Sequence, residues 1–378
     1  MPTTRILGIE TSCDETAAAV VENGRQVLSS VVASQAAVHA QYGGVYPEVA
    51  SRIHIETIYS VVAAALAQAH TGLEAVDAIA VTRGPGLAGS LVVGLNMAKG
   101  LALATGLPIL GINHLEAHLY SIWLVEDESE PEFPLLCLIV SGGHTELVLM
   151  RGHLQYDRLG GTVDDAAGEA FDKVARLLGL AYPGGPAIQS TSESGDPQAL
   201  KFPRAWLEGS WDFSFSGLKT AVLREVRRRQ PDLAAGIEAP RPGLPIADLA
   251  ASFQAAVVDV LVGKTLAAAA AFEARQILVA GGVSANKALR AALQERSALP
   301  VRVPPISLCT DNAAMIAAVG HQRYVAGQRD ALDIDALPTW PLAQDRSSVR
   351  DGGERSGLPP KLFTRRENVS KETSLPGA

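Results

Sequence analysis

One pattern occurs twice in this chain, and the recurrence sharply limits the folds open to it. RILGIETSCDETAAAVVENGRQVLSSVVAS reads as strand, polar turn, strand, Asn-Gly turn and strand, because short β-rich runs are separated by turn residues. LLCLIVSGGHTELVLM, starting at Leu135, repeats the theme of apolar strand, Gly/Ser/Thr-rich turn with an acid, and return strand. Self-similarity of this kind points to a duplication. Helical and strand patterns alternate around the two hairpins. From Pro47 to His70 the apolar positions Ile53, Ile58, Val61, Val62, Ala65 and Leu66 fit a helix, with Gly72 as its stop. AIAVT then reads as a buried strand and SLVVGLNMAKGLALAT as a helix stopped by Gly106. The second half continues with a helix through AAGEAFDKVARLLG, a loop YPGGP and the segment FSFSGLKTAV. An Ala-rich helix near 248–273, strand QILVAGG and a closing helix through DNAAMIAAVGHQRYVAG follow. Alternating strands and helices give an α/β class.

A length of 378 residues favours two domains. VEDESEPEFP at 125–134, acidic and with two prolines, marks a boundary, so the expected units are 1–134 and 135–327, with an extension over 328–378. The closing helix is a candidate to return to the first unit. Beyond about residue 340 the chain is polar and without apolar periodicity, and disorder is expected there. The net charge of -8 argues against a protein that wraps nucleic acid by itself. MPTTRILGIE has no apolar signal core, and the longest apolar stretch, Ala255 to Phe272, is broken by Asp259 and Lys264, which leads to the expectation of a soluble, unexported protein. Cys13, Cys137 and Cys309 are scattered, so neither a disulfide framework nor a thiolate zinc site is indicated.

The motif with the most chemistry is HLEAHLYS. His114 and His118, four apart at helical spacing, can point at one ion, and one carboxylate from elsewhere would leave coordination positions open for a substrate. A two-histidine helix face without metal is the alternative. Glu116 sits between the histidines, so this is not the H-E-x-x-H of zinc proteases. RGPGLAGS spaces Gly84 and Gly89 like a phosphate loop, yet Ser90 and Leu91 follow where Lys and Ser/Thr are required, which favours a plain strand-to-helix turn. SGGH at 141–144 fits either a nest of amides that approaches an anion or an ordinary glycine turn. GGVSAN, at 281–286, could dock a nucleotide at a helix start, or Ser284 could simply cap it. Asp172 reads as an i,i+4 partner of Arg176. Asp311 could be a helix cap or the missing metal carboxylate, and Asp14 and Glu15 could be acid/base groups or solvated turn residues. Arg224, Arg227, Arg228 and Arg229 form the densest basic run, either a phosphate-binding face or a solvated one.

GIETSCDET, HLEAHLYS, LIVSGGHTEL, DDAAGEAFDKVARLLGL with YPGGP, FSFSGLKT, GGVSANKALR and CTDNAAMIA occur in this order, and together they resemble the TsaD (Gcp/YgjD) family of tRNA N6-adenosine threonylcarbamoyltransferases from about residue 5 to 327. The resemblance implies an actin-like ATPase (ASKHA) fold with two duplicated RNase H-like lobes around a nucleotide cleft. It implies metal ligands at His114, His118 and Asp311, and a substrate-contacting turn at Ile139, Val140, Ser141, Gly142 and Gly143. Asp172, Gly185 and Asn286 match the ribose, phosphate-loop and adenine-side positions, whereas Gln189 stands where some relatives carry an acid.

The implied reaction passes threonylcarbamoyl from threonylcarbamoyl-AMP to N6 of the adenosine 3′ of the anticodon, in tRNAs reading codons that begin with A. One divalent metal ion per subunit is implied, iron in the first place and zinc as the alternative, and Asp14 or Glu15 could take the N6 proton. The resemblance also implies a cytoplasmic setting and two partners, a TsaB-like paralogue and a TsaE-like ATPase. Two other classes stand beside this reading, a metalloprotease and a non-catalytic actin-like binding module.

Overall fold

The structure is a computed structural model that describes residues 3–125, 129–230 and 243–343. Of the polar tail expected to be disordered beyond about residue 340, residues 340–343 are ordered against the protein, and residues 344–378 lie outside the described residues.

The first sheet holds β1 (Arg5–Glu10), β2 (Glu15–Glu22), β3 (Gln26–Ser34), β4 (Ala78–Gly84) and β5 (Ile109–Asn113) in the order β3-β2-β1-β4-β5. The first two pairings are antiparallel, and β1 runs parallel to β4 and β4 to β5. Asn23 and Gly24 turn β2 into β3 with both residues at positive φ, the twist a tight hairpin needs. The second sheet holds β6 (Leu135–Val140), β7 (Thr145–Gly152), β8 (Gln155–Gly161), β9 (Gln276–Ala280) and β10 (Val301–Arg302), in the order β10-β9-β6-β7-β8. Strand for strand and direction for direction this is the same design, with β6 in the place of β1 and β9 in the place of β4.

The helices are α1 (Ala36–His39), α2 (Pro47–Gln68), α3 (Ala88–Thr105), α4 (His114–Tyr120), α5 (Ala167–Leu177), α6 (Gly184–Ser192), α7 (Ser216–Arg229), α8 (Ile246–Ala271), α9 (Lys287–Arg296), α10 (Ile306–Cys309) and α11 (Ala313–Val325). Alternate side chains of a strand face opposite sides of its sheet, and both sides are buried here. Leu7, Ile9, Ile79 and Val81 pack with α2 and α3, whereas Ile6, Ala78 and Ala80 pack with α11. The cluster around α11 and α4 continues into Leu135, Cys137 and Ile139 of the second sheet, so these two helices form the layer between the sheets. Leu136, Leu138 and Val140 face the other way, into a core with α5, α7, α8 and α9. α11 lies so close on the first sheet that a Cβ at Gly8 would come within 2.2 Å of Ala313 O, and one at Gly320 within 2.6 Å of Ala80 Cβ.

By length and composition α2, α3 and α8 are each apolar enough to cross a membrane, but 67% of the most apolar stretch of α8 is buried inside the protein. Lys264, one of the charges that breaks that stretch, is fully buried, and its Nζ donates to the carbonyls of Ser210 and Asp212.

Several local expectations change. The left-handed residue after α2 is His70 at φ 48, not Gly72. YPGGP is the start of α6 and no mere loop, since Gly184 and Gly185 lie in its first turn. Asp172 does not pair with Arg176; its Oδ1 accepts from Gly184 N at 2.7 Å, while Arg176 donates to Gly43 O. Ser284 is not a cap either, because Asn286 fills that place on α9 with its Oδ1 3.0 Å from Leu289 N.

Candidate active site at the strand ends

In an open α/β sheet the loops after the carboxyl ends of parallel strands converge, and ligands bind there. The duplication brings two such edges face to face. The residues that follow β1, β4, β6 and β9, together with His114 just beyond β5, line one cleft of about 370 Å³. Its walls carry Asp14, Glu15, His114, Ser141, Gly142, Gly143 and Asp311.

Asn113 caps α4 by accepting from Leu115 N and Glu116 N, which starts the helix so that His114 and His118 sit one turn apart. Their ring centroids are 4.7 Å apart. Asp311 reaches them from the turn before α11, with Oδ1 3.5 Å from His114 Nε2 and 3.2 Å from His118 Nε2. The cap of α11 is Asn312, which accepts from Met315 N, so the capping alternative for Asp311 falls away. One ligand atom from each of His114, His118 and Asp311 lies within 4.8 Å of the others.

Behind His114 lies a residue that sequence reading passed over. Glu10 ends β1, is fully buried, and takes His114 Nδ1 at 3.0 Å; its carboxylate also accepts from Thr82 Oγ1 at 2.6 Å and from Ser12 N. Ser12 Oγ is 3.2 Å from the same Nδ1. A carboxylate on one imidazole nitrogen fixes the tautomer and turns the other nitrogen outward as a ligand. Burial opposes charge on His114, yet Asp311 and Glu10 on either side outweigh it and hold it well above the usual histidine range. Burial likewise opposes charge on Glu10 and Asp311, and His114 beside them holds both below the usual carboxylate range, Asp311 strongly so. His118 is 1% exposed, with Nε2 toward Asp311 and Nδ1 without a hydrogen-bond partner. Two clustered imidazole nitrogens, one of them buried without a hydrogen-bond partner, and a carboxylate form a donor set that fits a divalent transition metal with open positions.

Glu116 has no part in that set. Its carboxylate accepts from Arg323 Nη2 at 2.6 Å and from Tyr156 Oη at 2.9 Å, which ties α4 to α11 and β8 and engages Glu116 outside the cleft.

On the first-sheet side of the cleft, burial, Asp14 and Asp311 push Glu15 up to about 9. On the opposite side the α5 start supports the glycine turn: Gly168 N donates to Ser141 O at 3.1 Å, and Ser141 N to His144 O at 2.8 Å. A Cβ at Gly142 or Gly143 would meet nothing within 4 Å, so crowding inside the protein does not require these glycines, and the space above them is open to a ligand. His144, also overlooked in the sequence, lines the cleft, and burial together with His114 and His118 pushes it down to about 4.

Not every expected site residue meets here. Ile139 and Val140 are fully buried strand residues on opposite faces of β6. Asp172 lines a neighbouring cavity of about 300 Å³ with Tyr182 and Gly184, and Gly185 lies one position further along α6. Asn286 is 8% exposed and uses both ends of its amide within the protein, the Nδ2 donating to Gln254 Oε1 at 2.8 Å. Gln189 accepts from Lys287 N at 2.7 Å.

Two matched sheets around a cleft at their strand ends define an actin-like ATPase (ASKHA) fold. T. kodakarensis HypF has that architecture in common with this chain at a TM-score of 0.57 and 14% identity, over 86% of this chain and 48% of HypF. The pattern of the TsaD family, tRNA N6-adenosine threonylcarbamoyltransferase, matches residues 26–318. A tRNA N6-adenosine threonylcarbamoyltransferase from Thermomicrobium roseum is 58% identical over 92% of this chain and 99% of its own length. Another, from Geobacillus kaustophilus, is 55% identical over 89% of this chain and 96% of its own. The chain belongs to this transferase family.

Proposed function

We propose that this enzyme transfers threonylcarbamoyl from threonylcarbamoyl-AMP to N6 of the adenosine 3′ of the anticodon, in tRNAs reading codons that begin with A. The observation that carries the reading is the meeting of His114, His118 and Asp311 with the open Ser141–Gly143 turn in one cleft, in a chain of this family. In the reaction the N6–carbonyl bond forms, the carbonyl–phosphate oxygen bond breaks, and AMP leaves as N6 gives up a proton.

His114, His118 and Asp311 would hold one divalent metal ion, iron in the first place by family resemblance with zinc as the alternative, and a bound ion supplies Lewis-acid polarisation of the donor carbonyl. Glu10 orients His114 for that task. Amides of Gly142 and Gly143 bind donor oxygens, and their fixed direction charges no reorganisation at the moment of transfer. An exocyclic aromatic amine is a weak nucleophile, so holding it against the activated carbonyl is a large part of the work. Burial with the neighbouring Asp14 and Asp311 favours the protonated form of Glu15, and Asp14 or Glu15 would take the N6 proton. By family resemblance Asp172, Gly185 and Asn286 would contact the adenosine moiety of the donor, and Asp172 lines a cavity next to the cleft.

By family resemblance the setting would be the cytoplasm, away from any membrane, with a TsaB-like paralogue and a TsaE-like ATPase as partners, and the net charge of -8 supports tRNA binding that is shared with partners. Nucleoside mass analysis of tRNA from cells depleted of the protein tests the central claim. Threonylcarbamoyladenosine should fall to background and return with the parent gene, and an unchanged level would overturn the proposal.

A further inference from the structure

Beyond the triad cleft lies a larger cavity, about 790 Å³, for which the reaction described so far has no use. The two cavities have Pro85 and His144 as common wall residues. One side is the second sheet and the start of α4, with Arg158 and Leu115; the other is the segment 338–343, which crosses back over the first sheet and contributes Trp340 and Leu342.

That segment is held by its backbone. Leu337 N donates to Arg83 O at 2.8 Å, Gly86 N to Pro338 O at 3.1 Å, and Asn113 Nδ2 to Trp340 O at 3.0 Å. The backbone that carries the Trp340 ring is thereby held in place. Arg83 sits 5.7 Å from the ring centroid, anchored through its Nε on Asp335 O at 2.8 Å. Asn113 also caps the helix of His114 and His118, so the position of Trp340 is coupled to the triad through one residue.

We infer that this cavity is the subsite for the acceptor base, a purine turned out of its RNA stack, with Trp340 as the surface on which it stacks. The inference rests on the transferase reading and adds to it the place from which the nucleophile arrives. An enzyme that modifies an exocyclic amine must extract the base from its neighbours, and apolar or aromatic walls with a few polar groups at one end suit a flipped base. Here Trp340, Leu115 and Leu342 supply the flat and apolar walls, and His144 with the ion-paired Arg158 and Glu146 supplies the polar end. The volume lies within the range of sites that enclose a small ligand. Because His144 stands where the two cavities meet, a base seated against Trp340 with its amine toward His144 points that amine at the triad cleft. Arg83, at the Trp340 ring, places a cationic group beside that stacking surface.

The test uses the full chain with its partner proteins and two tRNA probes, one with adenosine and one with an abasic ribose at the acceptor position. For the parent protein the abasic probe should bind about tenfold more weakly, the size of one lost base–aromatic stack. In Trp340→Ala that difference should vanish, with donor binding and melting temperature unchanged, and Trp340→Phe should keep most of it. A full abasic penalty retained by Trp340→Ala would overturn the subsite, and so would a Trp340→Phe variant as impaired as Trp340→Ala. Parent protein that forms no threonylcarbamoyladenosine on the normal tRNA would instead overturn the transferase reading and take the subsite with it.

Discussion

The turn after β1 and the turn after β6 occupy equivalent places in two copies of one sheet, yet they carry opposite chemistry. The first, from Thr11 to Asp14, leads into Glu15 at the start of β2 and puts paired carboxylates on the cleft, with Glu10 behind them. The second, Ser141 to His144, offers the open Gly142–Gly143 turn and a neutral imidazole. Duplication alone would yield a symmetric cleft, and divergence of these two turns makes it polar. One wall is suited to a cation and to taking a proton, the other to the oxygens of an anionic donor.

The largest break in this contrast should come from the cation side. His118→Ala and Asp311→Ala should each lose bound metal and lower transfer by about 100-fold or more, the scale of a Lewis-acid contribution of several kcal/mol. Metal analysis of the purified variants alongside single-turnover transfer checks this, and normal metal content in either would remove the triad from the proposal. On the anion side the effect should be smaller. Gly142→Ala adds a Cβ that meets nothing within 4 Å in the protein itself. Its stability should therefore stay within about 0.5 kcal/mol of the parent, while donor binding weakens about tenfold, the effect of one misplaced charge-assisted hydrogen bond. Donor titration and thermal melting separate the two quantities, and unaltered donor affinity would leave the glycines as simple turn residues.

Glu15 sharpens the comparison through pH. Its carboxyl sits at about 9 in the folded protein against an ordinary value of 4.5. The native state thus keeps a proton that the unfolded chain gives up across that window. Its contribution to stability is fully present below about 4.5 and is lost as pH rises to about 9. Melting temperatures of apo Glu15→Gln should accordingly fall less steeply over this range than those of the parent. Parallel curves would show that Glu15 ionises normally.

How much of this could be seen beforehand depends on how local each feature is. The hairpins, the long Ala-rich α8 and the histidine spacing rest on neighbouring residues, and they are readable from periodicity and turn residues. Caps were misread where two candidates lay close together: Ser284 and Asn286 both suit a helix start, and only the intervening turn Gly282–Ala285 decides between them. Asp172 has a suitable partner four residues on, yet tertiary packing brings Gly184 N closer. Glu10 looks like any acid at a strand end, and its link to His114 spans 104 positions. No spacing rule reaches that far. Asp311 could be joined to His114 and His118 ahead of the structure only through resemblance, because its own neighbourhood fits a helix cap equally well.

The smallest expected effect concerns the tRNA surface, where the acidic chain must meet a polyanion. The structure divides the arginine run of α7. Glu225 holds Arg228 at 2.8 Å and Arg229 at 2.7 Å, and those hydrogen bonds push Glu225 itself down to about 2. Arg224 and Arg227 are exposed, and among the described residues neither has an ion pair. Counterion release counts phosphates that are actually neutralised, and an arginine already matched by a carboxylate contributes little to it. Replacing Arg224 and Arg227 together by Ala should therefore weaken tRNA binding across sequences and lower the slope of log K against log salt by about 0.9 for each lost phosphate contact. The Arg228→Ala and Arg229→Ala pair should change the slope less, since both guanidiniums are already matched by Glu225. Titrations of both double variants at several salt concentrations, with the partner proteins present, read the difference directly. Equal slopes in all three proteins would place the phosphate-binding surface elsewhere on the molecule and leave α7 as a solvated face.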